Sequence, residues 1–296
     1  MESPSPESKP CVQCGRAPPE VSFRTGTFPD GRVAQRRKCR VCERDYHRKK
    51  RVGNLTCGLI IPDCHHPNVS EAAWNLMLRA AEVVQPEIIV LLGDFADGES
   101  LSLHEPDEPG TRDFTDEIGC VMRALSQLDA LGAKRKIYIE GNHEQRLQRY
   151  LARNAPALFR SLSLLELLKL SERNWEWVPY KQSIKVGKLH VTHDTGSAGM
   201  NAHRASAKAF MGTAVIGHTH RMAYEVVGRF DEHPYLAAML GWLGDVKTAA
   251  RYLHEAKSAE WVHGFGVFYM EPSGACHVQP VPIVDGRCVV QGRLVT

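Results

Sequence analysis

Five short apolar runs in this 296-residue chain each stop at a cluster of histidine, aspartate or asparagine, and no other feature constrains the fold as strongly. The runs are "LTCGLII" (55–61), "EIIVLL" (87–92), "KIYIE" (136–140), "KLHVTHD" (188–194) and "TAVIG" (213–217). Apolar runs of this length read as buried strands. Between them lie stretches with helical spacing: "SEAAWNLMLRAAEVV" with Ser70 as N-cap, "DEIGCVMRALSQLDAL", "EQRLQRYLARN", "PALFRSLSLLELLKL" and "AHRASAKAFM". Strands alternating with helices predict an α/β core around a largely parallel sheet. From Met222 onward strands dominate, in "MAYEVVGRF", "YLAAML", "GVFYME" and "ACHVQPVPIV", and predict a second, more antiparallel sheet packed on the first.

The polar residues follow the strands in order. Asp63 and His65 follow the first, Asp94 and Asp97 the second, Asn142 and His143 the third, His193 the fourth, and His218 and His220 the fifth. Open α/β sheets bind ligands at the carboxyl ends of their strands, so five separated motifs converge on one rim. A strand period of two would put His218 and His220 on one face, where two neutral imidazoles suit a metal.

In that order the motifs are "DCH", "GDFAD", "GNHE", "THD" and "GHTH". The set resembles the signature of the calcineurin-like metallophosphoesterases: D-x-H, G-D-x-x-D, G-N-H-D/E, a lone histidine, then G-H-x-H. The resemblance implies a four-layer α/β/β/α sandwich, two mixed sheets flanked by helices. It implies that Asp63, His65 and His220 bind one divalent metal, that Asn142, His193 and His218 bind a second, and that Asp94 bridges both. Such oxygen and imidazole donors suit Mn²⁺ foremost, with Fe or Zn²⁺ as alternatives. Paired cations can lower the pKa of a shared water and hold phosphoryl oxygens for in-line attack. His143 resembles the general acid that protonates the departing oxygen, and Asp97 either orients it, favouring its charged form, or merely caps its turn. His193 is preferred to His190 as the fourth motif because it ends its strand. Cys64 reads as filler, and His66 and His203 as rim residues, with His66 within reach of substrate. Arg146, in "GNHEQR", reads equally as a substrate contact or a surface salt bridge.

The N-terminal part has a different composition. Residues 1–55 carry 13 Lys and Arg against 6 Asp and Glu, and the remainder 24 against 28, so a basic arm precedes an acidic body. "CVQC" and "CRVC" supply Cys11, Cys14, Cys39 and Cys42. Four thiolates satisfy one tetrahedral structural Zn²⁺, which a segment this poor in large apolar residues needs in order to fold. The segment resembles the small zinc ribbons that precede nuclease domains in phage and bacterial proteins. The expected organisation is a disordered 1–10, a zinc ribbon over 11–46, a basic linker over 47–54 and the phosphoesterase domain over 55–296. Arg48, Lys49, Lys50 and Arg51 read either as a solvated linker or as contacts to nucleic-acid phosphates.

No apolar stretch approaches the roughly 20 residues that span a bilayer, and "MESPSPESKP" lacks the apolar centre of a signal peptide, so a cytoplasmic protein without a membrane partner is expected. The protein serine/threonine phosphatases of the family carry an arginine directly after G-D-x-x-D, where this chain has Gly98. The leading expectation is therefore a two-metal phosphodiesterase or nuclease, with nucleic acid as substrate. The alternatives are a phosphomonoesterase acting on proteins or small molecules, and a nucleic-acid-binding module with a vestigial metal site.

Overall fold

The computed structural model describes residues 9–17, 20–27, 33–102, 113–230, 233–249 and 259–296, and the chain divides into two compact units, Met1–Leu55 and Thr56–Thr296. The first unit is a hairpin of β1 (Phe23–Thr27) and β2 (Val33–Cys39) followed by α1 (Arg40–Val52). Helix α1 runs through most of the stretch read as a linker. The side chains of Arg48, Lys49, Lys50 and Arg51 lie outside the described residues. Its apolar centre is small: Val21 and Phe23 pack on the four cysteines.

The second unit runs β3 (Thr56–Ile61), α2 (Glu71–Val84), β4 (Ile88–Leu91), α3 (Phe114–Ala130), β5 (Arg135–Ile139), α4 (Gln145–Asn154), α5 (Leu164–Leu167), β6 (Trp175–Val178), β7 (Ile184–Val186), β8 (Leu189–Thr192), α6 (Ala202–Phe210), β9 (Ala214–Ile216), β10 (Met222–Val227), β11 (Tyr235–Leu240), α7 (Val246–Ala249), β12 (Gly264–Met270), β13 (Cys276–Pro282), β14 (Cys288–Val290) and β15 (Arg293–Val295). One sheet has the order β13-β12-β3-β4-β5-β6 and the other β10-β11-β9-β8-β7. Ile60, Val90, Ile139 and Phe268 of the first sheet share one apolar cluster with Val191, Val215, Ala238 and Leu240 of the second, so the sheets lie face to face. Helix α2 covers the outer side of the first sheet and α6 that of the second, which completes the α/β/β/α layering.

The elements follow local rules where local rules apply. The Ser70 hydroxyl accepts from the Ala73 amide at 3.4 Å and caps α2, whose Trp74, Met77, Ala81 and Val84 are buried. In contrast, the single helix expected over "PALFRSLSLLELLKL" is a 3-10 turn at Pro156–Leu158 and one short helix, α5. Pro156 starts a new turn, and Ser163 caps α5 by accepting from the Glu166 amide, in place of continuing a helix through the serines.

The sheet memberships also differ from the expectation. Strands β8 and β9 belong to the second sheet, and β12 and β13 return to the first, where β12 pairs antiparallel with β3. Hydrophobic pattern makes a strand but does not choose its neighbour; β3, buried on both faces, needs a partner on each edge and takes one from the far end of the chain.

Candidate metal centre

Five loops that follow strand ends, three from the first sheet and two from the second, meet at one rim. Asp63 and His65 follow β3, and His220 follows β9; one donor atom from each lies within 4.8 Å of the others. The His65 and His220 Nε2 atoms are 3.0 Å apart, and His220 Nε2 is 3.2 Å from Asp63 Oδ2. Asp94, His193 and His218 form an adjacent set of the same compactness. Asn142 Oδ1 joins it, 3.0 Å from His193 Nε2 and 2.8 Å from His218 Nδ1. Asp94 Oδ2 lies 3.4 Å from His193 Nε2. The two groups of donors expected from the motifs are therefore brought together as two groups.

The backbone of these loops is unusual. His65, Asp94, His218 and His220 adopt positive φ, between +48° and +68°, a conformation that costs of order 1–3 kcal/mol per residue outside glycine and collects at functional sites. The reading of His218 and His220 as same-face strand neighbours is thus corrected: β9 ends at Ile216, and the left-handed turns send the two imidazoles to different donor sets. Two glycines make room for the carboxylates. A Cβ on Gly141 would sit 2.2 Å from Asp94 Oδ1, and one on Gly217 2.5 Å from Asp63 Oδ1.

Further residues fix the donors. The Leu92 carbonyl accepts from His193 Nδ1 at 2.9 Å, which turns Nε2 toward Asn142 and Asp94. The His218 amide donates to both Asp63 oxygens at 3.0 and 2.9 Å. His220 stacks on Trp242 with ring centroids 4.6 Å apart and meets Trp261 edge-on at 4.4 Å.

Sequence reasoning passed over Glu144. The residue is 1% exposed, and its carboxylate accepts from the amides of Asp94, Phe95, Ala96 and Gly141 and from the Tyr138 hydroxyl, at 2.8–2.9 Å. It ties the loop after β4 to the loop after β5. Burial and the nearby Asp94 charge push its pKa up to about 7, against the pull of the backbone donors. The signal was present as the last letter of "GNHE".

His143 and Asp97 form a third compact group that shares His65 with the first, the His65 Nδ1 lying 3.4 Å from Asp97 Oδ1. His143 Nδ1 lies 2.5 Å from Asp97 Oδ1, while Asn68 donates to Asp97 Oδ2 at 2.6 Å. Asp97 does more than cap its turn. Burial, joined by the nearby His65, holds the His143 pKa below its ordinary value and outweighs Asp94 and Asp97, both of which do favour the charged form. Arg146 donates to the Asp97 carbonyl at 3.1 Å and to Asp97 Oδ1 at 3.3 Å, and lies 3.3 Å from His143 Nε2, so it forms a salt bridge that is part-buried at the site's edge and not on the open surface. An arginine can only donate, so His143 Nε2 here accepts and the imidazole carries its proton on Nδ1.

Two rim assignments are corrected. His66 is 5% exposed, wedged between Trp74 and Phe95 at 4.9 and 4.8 Å, and burial pushes its pKa down to about 3, so it packs as a core residue and not as an exposed rim residue. His203 is buried on α6, 3.9 Å from Glu225. Cys64 is fully buried, and His190 stacks on Phe210 away from the donors.

Divalent cations fit this centre on the chemistry of its donors. Asp63, Asp94, Asp97 and Glu144 are all buried together. Burial pulls the His193 pKa down, but the Asp94 and Asp63 charges overcome it and lift the value to about 10. Acceptor oxygens converge on Nε2 and demand positive charge there, which a cation supplies in place of a proton. In the first unit Cys11, Cys14, Cys39 and Cys42 each place Sγ within 4.8 Å of the others, and Cys14 and Cys39 Sγ are 3.9 Å apart. A tetrahedron with metal–sulfur bonds of about 2.3 Å has edges of about 3.8 Å. Backbone donation from Cys39 lowers the Cys11 pKa to about 6, and burial raises that of Cys42 to about 12.

A double-sheet sandwich with this rim is a metal-dependent phosphoesterase. Residues 59–222, more than half of the chain, match the calcineurin-like phosphoesterase family, and the chain belongs to it. It is 31% identical over 258 residues to the Gene 54 protein of Mycobacterium phage L5, spanning 80% of this chain and 97% of that protein. The Gene 54 protein of Mycobacterium phage D29 is 30% identical over 230 residues, spanning 71% and 87%. Among solved structures, Vps29 from Entamoeba histolytica aligns with a TM-score of 0.41 and 13% identity, covering 79% of this chain and 97% of Vps29. Among the described residues, no helix is long and apolar enough to cross a membrane.

Proposed function

We propose that the protein is a phosphodiesterase or nuclease that hydrolyses nucleic acid, and the observation that carries this reading is the basic first unit tied to an acidic phosphoesterase unit. A basic segment in the same chain raises the local concentration of a polyanion without taking part in chemistry. Asp63, His65 and His220 would hold one divalent cation, Asn142, His193 and His218 a second, and Asp94 both; Mn²⁺ is the first candidate, with Fe and Zn²⁺ behind it. Bound there, the cations supply an activated water and neutralise charge on the phosphoryl oxygens.

The chain's own residues do the rest. Asp97, held by Asn68, keeps His143 Nδ1 protonated and aims Nε2 into the site, 3.8 Å from Asp94 Oδ2. His143 acts as the acid when Nε2 carries a proton, which it passes to the leaving oxygen. Arg146 must then turn from Nε2, and its guanidinium is placed to take a phosphoryl oxygen. Gly98, in left-handed backbone, offers no such arginine of its own. Cys11, Cys14, Cys39 and Cys42 would hold one structural Zn²⁺.

A substrate panel with Mn²⁺ tests the reading: single- and double-stranded DNA, RNA, bis-aryl diesters and aryl monoesters. Turnover of diesters and nucleic acid is expected. Turnover of aryl monoesters with every diester left intact overturns it in favour of a phosphomonoesterase.

A further inference from the structure

In a unit that carries 28 acidic against 24 basic residues, the stretch 145–165 holds four arginines, Arg146, Arg149, Arg153 and Arg160, and no lysine, aspartate or glutamate. Helix α4 starts directly after Glu144, and its first arginine touches Asp97 and His143, so the helix leads away from the centre. Leu147 and Leu151 are buried. At 100° per residue, Arg149 and Arg153 then occupy the opposite, solvent-facing side, with Tyr150 exposed on its flank and Arg146 part-buried against Asp97. The following turn folds back on the helix, where Gln148 donates to the Leu162 carbonyl at 3.0 Å. Tyr150 is 41% exposed and Phe159 43%.

Arg135, Arg173, Arg204 and Arg221 each rest on a carboxylate. Among the described residues Arg149, Arg153 and Arg160 do not. Arg149 stands near enough to Glu140 and Tyr180, beside His193, for its charge to reach both. Arginine presents a planar fork that matches phosphate oxygens two at a time. Arg149 and Arg153, four residues apart, are offset by about 6 Å along the helix axis, so their guanidiniums stand in a row that a chain of phosphates can follow. Exposed aromatic rings beside such a row serve a strand whose bases are free to stack, which a duplex does not offer.

We propose that the exposed face of α4 and the turn after it form the track on which a single-stranded nucleic acid lies as it enters the metal centre. Arg149 and Arg153 hold successive phosphates, and Tyr150 and Phe159 stack on bases. The track rests on the phosphodiester reading above and names its substrate as single-stranded.

Fluorescence anisotropy with labelled oligothymidylate and oligouridylate, on the full chain in an Asp94→Asn background that leaves the strand uncut, tests it. Arg149→Ala/Arg153→Ala is expected to lose about tenfold in affinity, and the slope of log K against log salt to fall by about 1.4, two contacts at about 0.7 each. Tyr150→Ala is expected to lose about fivefold or more with the slope kept. Arg149→Lys/Arg153→Lys keeps most of the slope, which separates lost charge from lost fold. With Asp94 restored, all three variants keep wild-type turnover of bis-p-nitrophenyl phosphate. Wild-type affinity and slope in the double alanine variant overturn the track and leave the phosphodiester reading standing. Duplex or polyglutamate bound as tightly as single strands also overturns the track. A protein that hydrolyses only monoesters and binds no strand overturns both.

Discussion

The two units use metal donors in opposite ways. In the first, four cysteines are themselves most of the buried centre, with Val21 and Phe23 the apolar residues packed around them. In the second, an apolar sandwich stands on its own and presents its donors only at the rim. A segment of this size cannot bury enough surface to offset chain entropy, so its four cysteines act as core. A unit of more than 200 residues has core in surplus and can hold strained backbone and buried carboxylates for chemistry.

That contrast can be broken by experiment. The largest effect is expected at Cys39→Ser: the first unit loses its cooperative fold, seen as collapsed amide dispersion, while turnover of a small aryl diester persists. A retained fold would mean that the cysteines are incidental. Asp94→Asn is the converse case. Turnover should fall by about a thousandfold or more while the second unit melts as before, because the donor proposed to serve both cations is lost and the core is untouched.

His143→Ala should cost about a hundred- to ten-thousandfold on a nucleic acid, whose leaving alkoxide needs a proton, and far less on a p-nitrophenyl ester, whose leaving group does not. Equal losses on both would remove His143 as the acid. Glu144→Ala strips the partner from four amides and the Tyr138 hydroxyl. Urea unfolding should show the second unit weakened by about 3–5 kcal/mol, placing part of the rim's stability in a polar group. The smallest effect belongs to His66→Phe. The swap replaces a buried Nε2 that has no partner with a ring of similar size between Trp74 and Phe95. Stability should change by less than about 1.5 kcal/mol and kcat not at all.

The donor residues were legible because each ends an apolar run and because their motifs occur in a fixed order. Strand existence and the Ser70 cap were legible for the same local reasons, and the layering through the family resemblance that the motifs carry. What escaped was non-local. Nothing in "GVFYME" says that β12 will pair with β3, more than 200 residues earlier, instead of extending the second sheet. Nothing in "IPDCHHP" separates His65, in left-handed backbone facing His220, from its neighbour His66, sealed behind Trp74. Adjacent letters part ways there because one residue's φ changes sign. Glu144 was visible but undervalued, since five donors on one carboxylate appear only once two loops are folded together.

Each donor set draws on both sheets. Asp63 and His65 come from the first and His220 from the second, while Asp94 and Asn142 come from the first and His193 and His218 from the second. Neither layer owns a complete candidate donor set. On the proposed assignment of the donors, a half-assembled chain, or one whose layers have slid by a single residue, is chemically mute, and hydrolytic power appears only at the last stage of assembly, when the two layers are clasped.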